Sequence, residues 1–446
     1  MISLKNGSVM LAACLLTSGA LAQSPVLDAY IREGLQANLA TRQQGFQLQK
    51  SLLALEEARG LFLPSVNFNF TYSTAQGGRT IAFPVGDIIN PLYYVTGLAP
   101  AGSNPIPNVS EQLVPKNFYD TRIKTTMPIL NAEIRYNRQL RQQQIGLVEN
   151  DIVIVKRELV KDIKIAYFNF LKAEEAISIY ENARKLLLES QRVNQSLVNN
   201  QMANPTVLVR SRNEIGRMDA DLATARLTRE NAAAYLNYLL TRDLASPVKS
   251  DTLLLNSEAD WSASSAKREE LDKLRNALAI NQTMLKLQQS YRTPKIGAAL
   301  DLGSQGHVNN IDLKSNPFWL LGISLDIPLY AGNRNKLKVR QQQEEIHSLE
   351  TQLEQVQRQL DLQVFTARNA VRSAQEVFRS REQQVETARR YYRDMFRRYK
   401  ENTAAFIELL DAQTQLTSAE LQTTLARYDI WLRLAELERA TAAYGL

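Results

Sequence analysis

Two stretches of this 446-residue chain are long and uninterrupted enough to leave little choice of conformation. Residues 133–200 contain no proline and a single glycine, Gly146, and residues 333–401 contain neither. Ala, Leu, Gln and Arg crowd both, which are strong helix formers. A helix of that length, at a rise of 1.5 Å per residue, measures roughly 100 Å, far beyond a globular helix. Near the end of the second stretch Ala370, Ala374, Val377, Val385, Ala388, Tyr392, Met395 and Tyr399 keep the spacing of a coiled-coil seam. Each stretch then meets a break, Asn199 to Pro205 in one and Lys400 to Thr403 in the other. Return helices are predicted beyond the breaks, over 206–241 and 405–441.

The two stretches belong to an internal repeat. Met127-Pro128-Ile129-Leu130 recurs as Ile327-Pro328-Leu329-Tyr330, an offset of 200 residues. Arg141-Gln142-Gln143-Gln144 recurs as Arg340-Gln341-Gln342-Gln343, and Val207-Leu208-Val209 aligns with Glu408-Leu409-Leu410. The chain therefore divides into a first repeat, 23–245, a linker, 246–265, and a second repeat, 266–446. Each repeat opens with a helix, over about 26–62 and 266–291. Leu52, Leu55, Ala58 and Phe62 mark the apolar face of one, and Leu271, Leu274, Leu278 and Leu285 that of the other. Pro64 and Pro294 end these helices. Hairpins follow over 64–130 and 294–330, and then the long helix pairs over 133–241 and 333–441.

The hairpins alternate apolar and polar residues with the period of a strand. Val66, Phe68, Phe70 and Tyr72 interleave with Asn67, Asn69, Thr71 and Ser73. Tyr119, Ile123 and Met127 lie opposite Asp120, Arg122 and Lys124. Ile296, Ala298, Leu300 and Leu302 lie opposite Lys295, Gly297, Ala299 and Asp301. Trp319, Leu321, Ile323, Leu325 and Ile327 lie opposite Gly322, Ser324 and Asp326. About ten residues of alternation with aromatics at strand ends is the pattern of a membrane-barrel strand, although a half-buried soluble hairpin reads the same over one strand. On the barrel reading Val66, Phe68, Phe70, Tyr72, Trp319, Leu321, Ile323 and Leu325 face lipid, and Asp120, Arg122, Lys124 and Asp326 face a watery lumen. The 44 residues between Ser73 and Phe118 are rich in proline and read as a long surface loop without secondary structure.

The compartment is read from the first residues. Lys5 precedes an apolar run, Val9 to Leu16, and Ala20-Leu21-Ala22 offers small residues for cleavage, so 1–22 reads as a secretory signal peptide. Leu11-Ala12-Ala13-Cys14 also resembles a lipobox, which leaves Cys14 either a lipidated first residue or an apolar residue of a discarded leader. No later stretch reaches 18 consecutive apolar residues, so contact with a bilayer has to be made by strands.

Four strands cannot close a membrane barrel, whose smallest forms have eight. Open sheet edges in lipid leave polar groups unpaired at several kcal/mol each. A dimer would supply eight strands and a trimer twelve, the latter wide enough to enclose a passage. At this point the chain resembles the TolC family of outer-membrane efflux proteins. The resemblance is carried by Leu61-Phe62-Leu63-Pro64-Ser65, by Met127-Pro128-Ile129-Leu130-Asn131, and by Ile327-Pro328-Leu329-Tyr330-Ala331-Gly332. Its most specific part is Phe406-Ile407-Glu408-Leu409-Leu410-Asp411-Ala412-Gln413. The resemblance implies a mainly α protein with a membrane β-barrel: a homotrimer whose 12-stranded outer-membrane barrel continues as a periplasmic α-helical coiled-coil tunnel. It also implies a Gram-negative outer membrane and docking to a periplasmic adaptor and an inner-membrane pump. The resulting expectation is a passive channel of a tripartite efflux or type I secretion system. The alternative is a structural coiled-coil protein of the envelope with a soluble β-domain and no pore.

The same resemblance places a gate at the second break. Glu408 and Asp411, three residues apart, match the family's acidic pair, although acidic residues are also common in the first turns of ordinary helices. Tyr399 matches a family tyrosine and equally satisfies an apolar coiled-coil position. Asn402 stands where many members have glycine, and Ala404 where some carry a basic residue. The net charge of +7 and the cluster Arg389, Arg390, Arg393, Arg397, Arg398 and Lys400 permit acidic partners. A solvated helix face or an adaptor contact explains the cluster better than nucleic acid, since the chain is read as exported. Two histidines, His307 and His347, and one cysteine leave little for metal sites or catalytic triads. No enzyme activity, cofactor or metal is expected.

Overall fold

The computed structural model describes residues 24–251, 268–308 and 316–446, apart from residues 101, 104, 113, 115 and 116. The leader read over 1–22, with Cys14 in it, and most of the 246–265 linker lie outside the described residues. In the first half the elements are α1 (Pro25–Ala37), α2 (Leu39–Gly60), β1 (Ser65–Ser73), β2 (Thr80–Phe83), α3 (Val85–Val95), β3 (Val109–Gln112), β4 (Phe118–Leu130), α4 (Ala132–Asn199) and α5 (Thr206–Leu239). The second half supplies α6 (Glu269–Gln289), β5 (Lys295–His307), β6 (Pro317–Asp326), α7 (Arg334–Lys400) and α8 (Phe406–Thr441). Among the described residues no helix is long and apolar enough to cross a membrane.

Two sequence expectations need correction. The single helix read over 26–62 is two helices, broken at Asn38. Asn38 takes an extended backbone, and its side-chain oxygen accepts the amides of Ala40 (2.9 Å) and Thr41 (3.3 Å), capping α2. Its amide nitrogen donates to the Leu239 carbonyl at 2.9 Å, which fixes the break against α5.

The segment between Ser73 and Phe118 is likewise not structureless, for it holds β2, α3 and β3, with β2 paired to β3. Asn90 fastens α3 by a double hydrogen bond to the backbone of Ile106, donating at 2.9 Å and accepting at 3.0 Å. Gly86 lies so close beneath the Ile106 carbonyl that a Cβ would sit 2.2 Å from it. Pro91 lies inside α3, past its midpoint, and the helix before it is held by Asn90 and by the cross-links of Asp87 and Asn108.

Spatially the described chain forms two compact units, each drawing on both halves. The first is helical and comprises the described residues within 24–51, 144–279 and 347–446. One of its buried clusters gathers Leu27, Ile31, Ile163, Tyr167, Phe168, Phe170, Leu171 and Leu236. The aromatics of α4 are therefore packing residues, as their helical spacing suggests. A second cluster gathers Leu187, Met218, Tyr392, Tyr399, Phe406, Leu409 and Leu410. An ion-pair network borders the first cluster. Arg268 and Arg439 both grip Glu270, at 3.0 and 2.7 Å, and Arg439 also meets Glu158 at 3.1 Å.

Burial alone would raise the Glu270 carboxyl, but the hydrogen bonds from Arg268 and Arg439 outweigh it and hold it at about 2. A depressed carboxylate stabilises the fold above its unfolded value and loses that contribution as pH falls. Thermal stability should therefore drop between about pH 4.5 and pH 2. Glu270→Gln should flatten that limb and cost up to about 3 kcal/mol at neutral pH. Melting followed by circular dichroism across this range checks both, and an unchanged acid limb in Glu270→Gln would show that other groups carry it.

The second unit, the described residues within 52–143 and 280–346, centres on a four-stranded antiparallel sheet in the order β1-β4-β5-β6. Its register pairs Phe68 with Ile123, Ile123 with Leu302, and Leu302 with Trp319. Directly paired residues share a face, so Val66, Phe68, Phe70 and Tyr72 lie on the same side as Leu300, Trp319, Leu321, Ile323 and Leu325. That face carries no charged residue, yet Phe68, Trp319 and Ile323 are 71%, 72% and 74% exposed. Among the described residues the outer edges of β1 and β6 have no strand partner.

Candidate functional site at the helix turns and the polar sheet face

The turn from α7 to α8 is built by Asn402, whose φ of +57° is a left-handed conformation that asparagine tolerates. The amide of Thr403 returns to the Arg398 carbonyl (2.9 Å) and that of Asn402 to the Tyr399 carbonyl (3.0 Å). On the other side Glu408 reaches back to accept the amide of Ala405 at 2.8 Å, capping α8. Asp411 accepts from the Gln415 side chain at 2.7 Å. Glu408 and Asp411 both lie on the exposed stripe of α8, while Phe406, Leu409 and Leu410 turn into the second buried cluster. The acidic pair is thus brought together on one open face. Glu408 also has a structural duty that its number in the motif does not reveal.

Tyr399 sits at the centre of a buried polar chain. Its ring packs on Phe406, 5.7 Å between centroids, and its hydroxyl donates to Asn194 Oδ1. The Asn194 amide donates to Ser211 Oγ at 2.6 Å, and Ser211 donates to the Val207 carbonyl at 2.9 Å. Burial pushes the Tyr399 hydroxyl up, so it remains a proton donor at neutral pH. The chain joins α7 to α4 and α5, and both Asn194 and Ser211 are fully inside. Sequence reasoning found Tyr399 and missed these two partners. The signal was present: Asn194 follows Leu187 by seven residues and Ser211 precedes Met218 by seven, so both are polar residues at apolar heptad positions.

On the sheet, Asp120, Arg122, Lys124 and Asp326 share the face opposite the apolar band, as the alternation predicts. Arg122 bridges Asp120 on its own strand and Asp301 on β5, the latter at 3.3 Å, and lies 5.7 Å over the Phe318 ring. Gly303 makes room for this: a Cβ there would meet the Thr121 carbonyl at 2.4 Å and Arg122 Cβ at 2.9 Å. Phe318 and Leu320 also fall on this face, so it is polar but not uniformly so. The basic cluster of α7 is a solvated face with local partners: Arg389 pairs with Glu420, Arg390 with Glu386 and Arg397 with Asp394. Among the described residues no three His, Cys, Asp or Glu side chains are arranged to hold a metal ion.

Residues 262–443 match the model of a family described as outer membrane efflux protein. The fold is that of solved channels. The outer-membrane channel OprN matches with a TM-score of 0.74 at 15% identity, covering 94% of this chain and 91% of that one. The CmeC outer membrane channel of Campylobacter jejuni gives 0.73 at 14% identity, with 94% and 85% covered. The MtrE outer membrane channel of Neisseria gonorrhoeae, solved in its open state, gives 0.72 at 18% identity, with 94% and 89% covered. No curated protein matches by sequence. The family match, over residues 262–443, and the fold, over nearly the whole chain, both agree with the resemblance that the sequence carries.

Proposed function

We propose that this TolC-like chain works as a homotrimer, each copy lending four strands to a 12-stranded barrel in the outer membrane of a Gram-negative bacterium. The trimer is a passive conduit of a tripartite efflux or type I secretion system. The observation that carries this reading is the uncharged, exposed apolar band running across all four strands, with β1 and β6 left as open edges. Such a band is stable in lipid, and such edges are stable there only when paired with a neighbouring copy. The opposite face, with Asp120, Arg122, Lys124 and Asp326, lines water. The repeats, 23–245 and 266–446, each contribute one hairpin and one helix pair. The helix pairs of three copies form a periplasmic tunnel, which a periplasmic adaptor and an inner-membrane pump engage.

Because the only cysteine is Cys14, in the segment read as leader, closure can be tested with engineered disulfides. Asn69→Cys on β1, combined in turn with Leu320→Cys, Gly322→Cys or Ser324→Cys on β6, should give one pairing that runs on denaturing gels as a covalent trimer. Only monomers and dimers, across all three combinations, would overturn the barrel.

The gate in this reading is the α7–α8 turn. Three copies of Glu408 and Asp411 form two rings of carboxylates, attractive to cations. Tyr399, through Asn194 and Ser211, holds the second coil against the first while the turn is closed. Energy comes from the pump, whose docking separates the coils. The paired substitution Glu408→Ala/Asp411→Ala should lower cation selectivity severalfold, read as a reversal potential across a salt gradient. A reversal potential unchanged in the double variant would place selectivity elsewhere. A pore-free structural protein of the envelope is the competing reading, and the uncharged outward band argues against it.

A further inference from the structure

Within the helical unit a cavity of about 400 Å³ opens between α4, α5 and α8. Its walls are chemically divided. Leu187, Met218 and Leu410, all members of the second buried cluster, supply an apolar floor. Tyr180 adds an aromatic ring. The charged residues do not cancel: Glu214 is tied to Arg217 at 3.0 Å, whereas Asp221 has no hydrogen bond or ion pair among the described residues. Tyr180 and Asp221 line the same cavity, and burial and then the Asp221 charge both push the Tyr180 hydroxyl up. Gln413, 3% exposed, also lines the cavity. Its amide nitrogen donates to the Ala183 carbonyl at 3.0 Å, which fixes the orientation and leaves its carbonyl oxygen, buried, without a donor.

An uncompensated carboxylate, an unused amide carbonyl, an aromatic face and an apolar floor together select one kind of occupant. It has a single delocalised positive charge and an apolar body. The carboxylate and ring attract the charge, the floor takes the body, and the volume lies in the range of small-molecule sites. An anion would meet Asp221, and a strongly hydrated inorganic cation would leave the apolar floor unused. We propose that this cavity is a binding site for a monovalent amphiphilic organic cation. An occupant touching α4, α5 and α8 at once braces the first coil against the return helix of the second, and so favours the arrangement described. The site lies wholly in the helical unit, and its binding can be measured whether or not the chain forms a pore.

The test is titration of tetraphenylphosphonium into the detergent-solubilised full-length protein, followed by calorimetry. One saturable site per chain is expected, and neutral triphenylphosphine oxide should bind at least tenfold more weakly. Asp221→Asn should weaken the cation at least tenfold. Asp219→Asn should leave it unchanged, since Asp219 pairs with Arg184 at 2.5 Å and does not line the cavity. Leu187→Trp, which fills the floor, should abolish binding while circular dichroism shows the helices intact. Absence of saturable binding to folded protein overturns the proposal. So does equal binding by wild type and Asp221→Asn, the signature of partition into micelles. If the true occupant is a lysine or arginine of a partner helix, the free cation will not bind, and the proposal fails.

Discussion

Tyr399→Phe is expected to shift the closed–open balance of the tip about tenfold toward open. The substitution removes one hydroxyl and nothing else, so the Phe406 contact survives while the acceptor on Asn194 loses its donor inside a packed interior. A buried polar atom left unpaired costs about 1–3 kcal/mol, and 1.4 kcal/mol is a factor of ten. That cost falls on the closed arrangement alone if opening separates α7 from α4 and lets water reach Asn194. Asn194→Ala should act in the same direction and at least as strongly, since it leaves the Tyr399 hydroxyl without its acceptor and removes the donor to Ser211 Oγ. The readout is the open probability of single channels, or the entry of a large hydrophilic antibiotic into cells carrying the variant. Tyr391→Phe serves as the control, being only half-buried on the same helix. If Tyr399→Phe opens no more often than this control, the buried chain is packing and not a latch.

Ile323→Arg should abolish assembly of the oligomer in the membrane, whereas Ser324→Arg, one residue along β6, should be tolerated. The two positions lie on opposite faces of one strand, Ile323 in register with Ala298 and Ser324 with Gly297. An arginine facing lipid near the bilayer midplane costs about 2–4 kcal/mol, and a trimer would pay it three times. The same side chain facing water costs little. Heat-modifiable oligomer in outer-membrane fractions is the measurement. Equal loss for both variants would mean that the apolar band faces protein and not lipid.

How much of this was legible beforehand follows from the range of the interactions involved. The strands announced themselves because period-two alternation is local and one face must be uncharged. Val66 to Tyr72 and Trp319 to Leu325 could be assigned to a face without knowing their partners, and the register places them there. The long helices were equally plain, since 67 residues of α7 contain no helix breaker. The break at Asn38 was missed because it depends on a carbonyl two hundred residues away, that of Leu239. Helix α3 was missed because Pro91 reads as a breaker locally, while the Asn90 clasp onto Ile106 that secures the helix is not local. At the tip, the acidic pair and Tyr399 were visible through a motif. Their partners were not, because pairing Asn194 with Tyr399 requires knowing that α4 and α7 lie side by side. Glu408 was legible as a gate residue or as an acidic residue of an ordinary first turn, and the backbone hydrogen bond that makes it a cap emerges only from the turn geometry.

The conduit itself is tested most directly by adding the detergent-purified protein to a planar lipid bilayer and recording current under voltage. Discrete, cation-preferring conductance steps are expected, with longer openings when Tyr399→Phe is used. A folded oligomer that never inserts, or that inserts without conducting in wild type and Tyr399→Phe alike, would contradict the channel and leave a structural coiled-coil protein in its place.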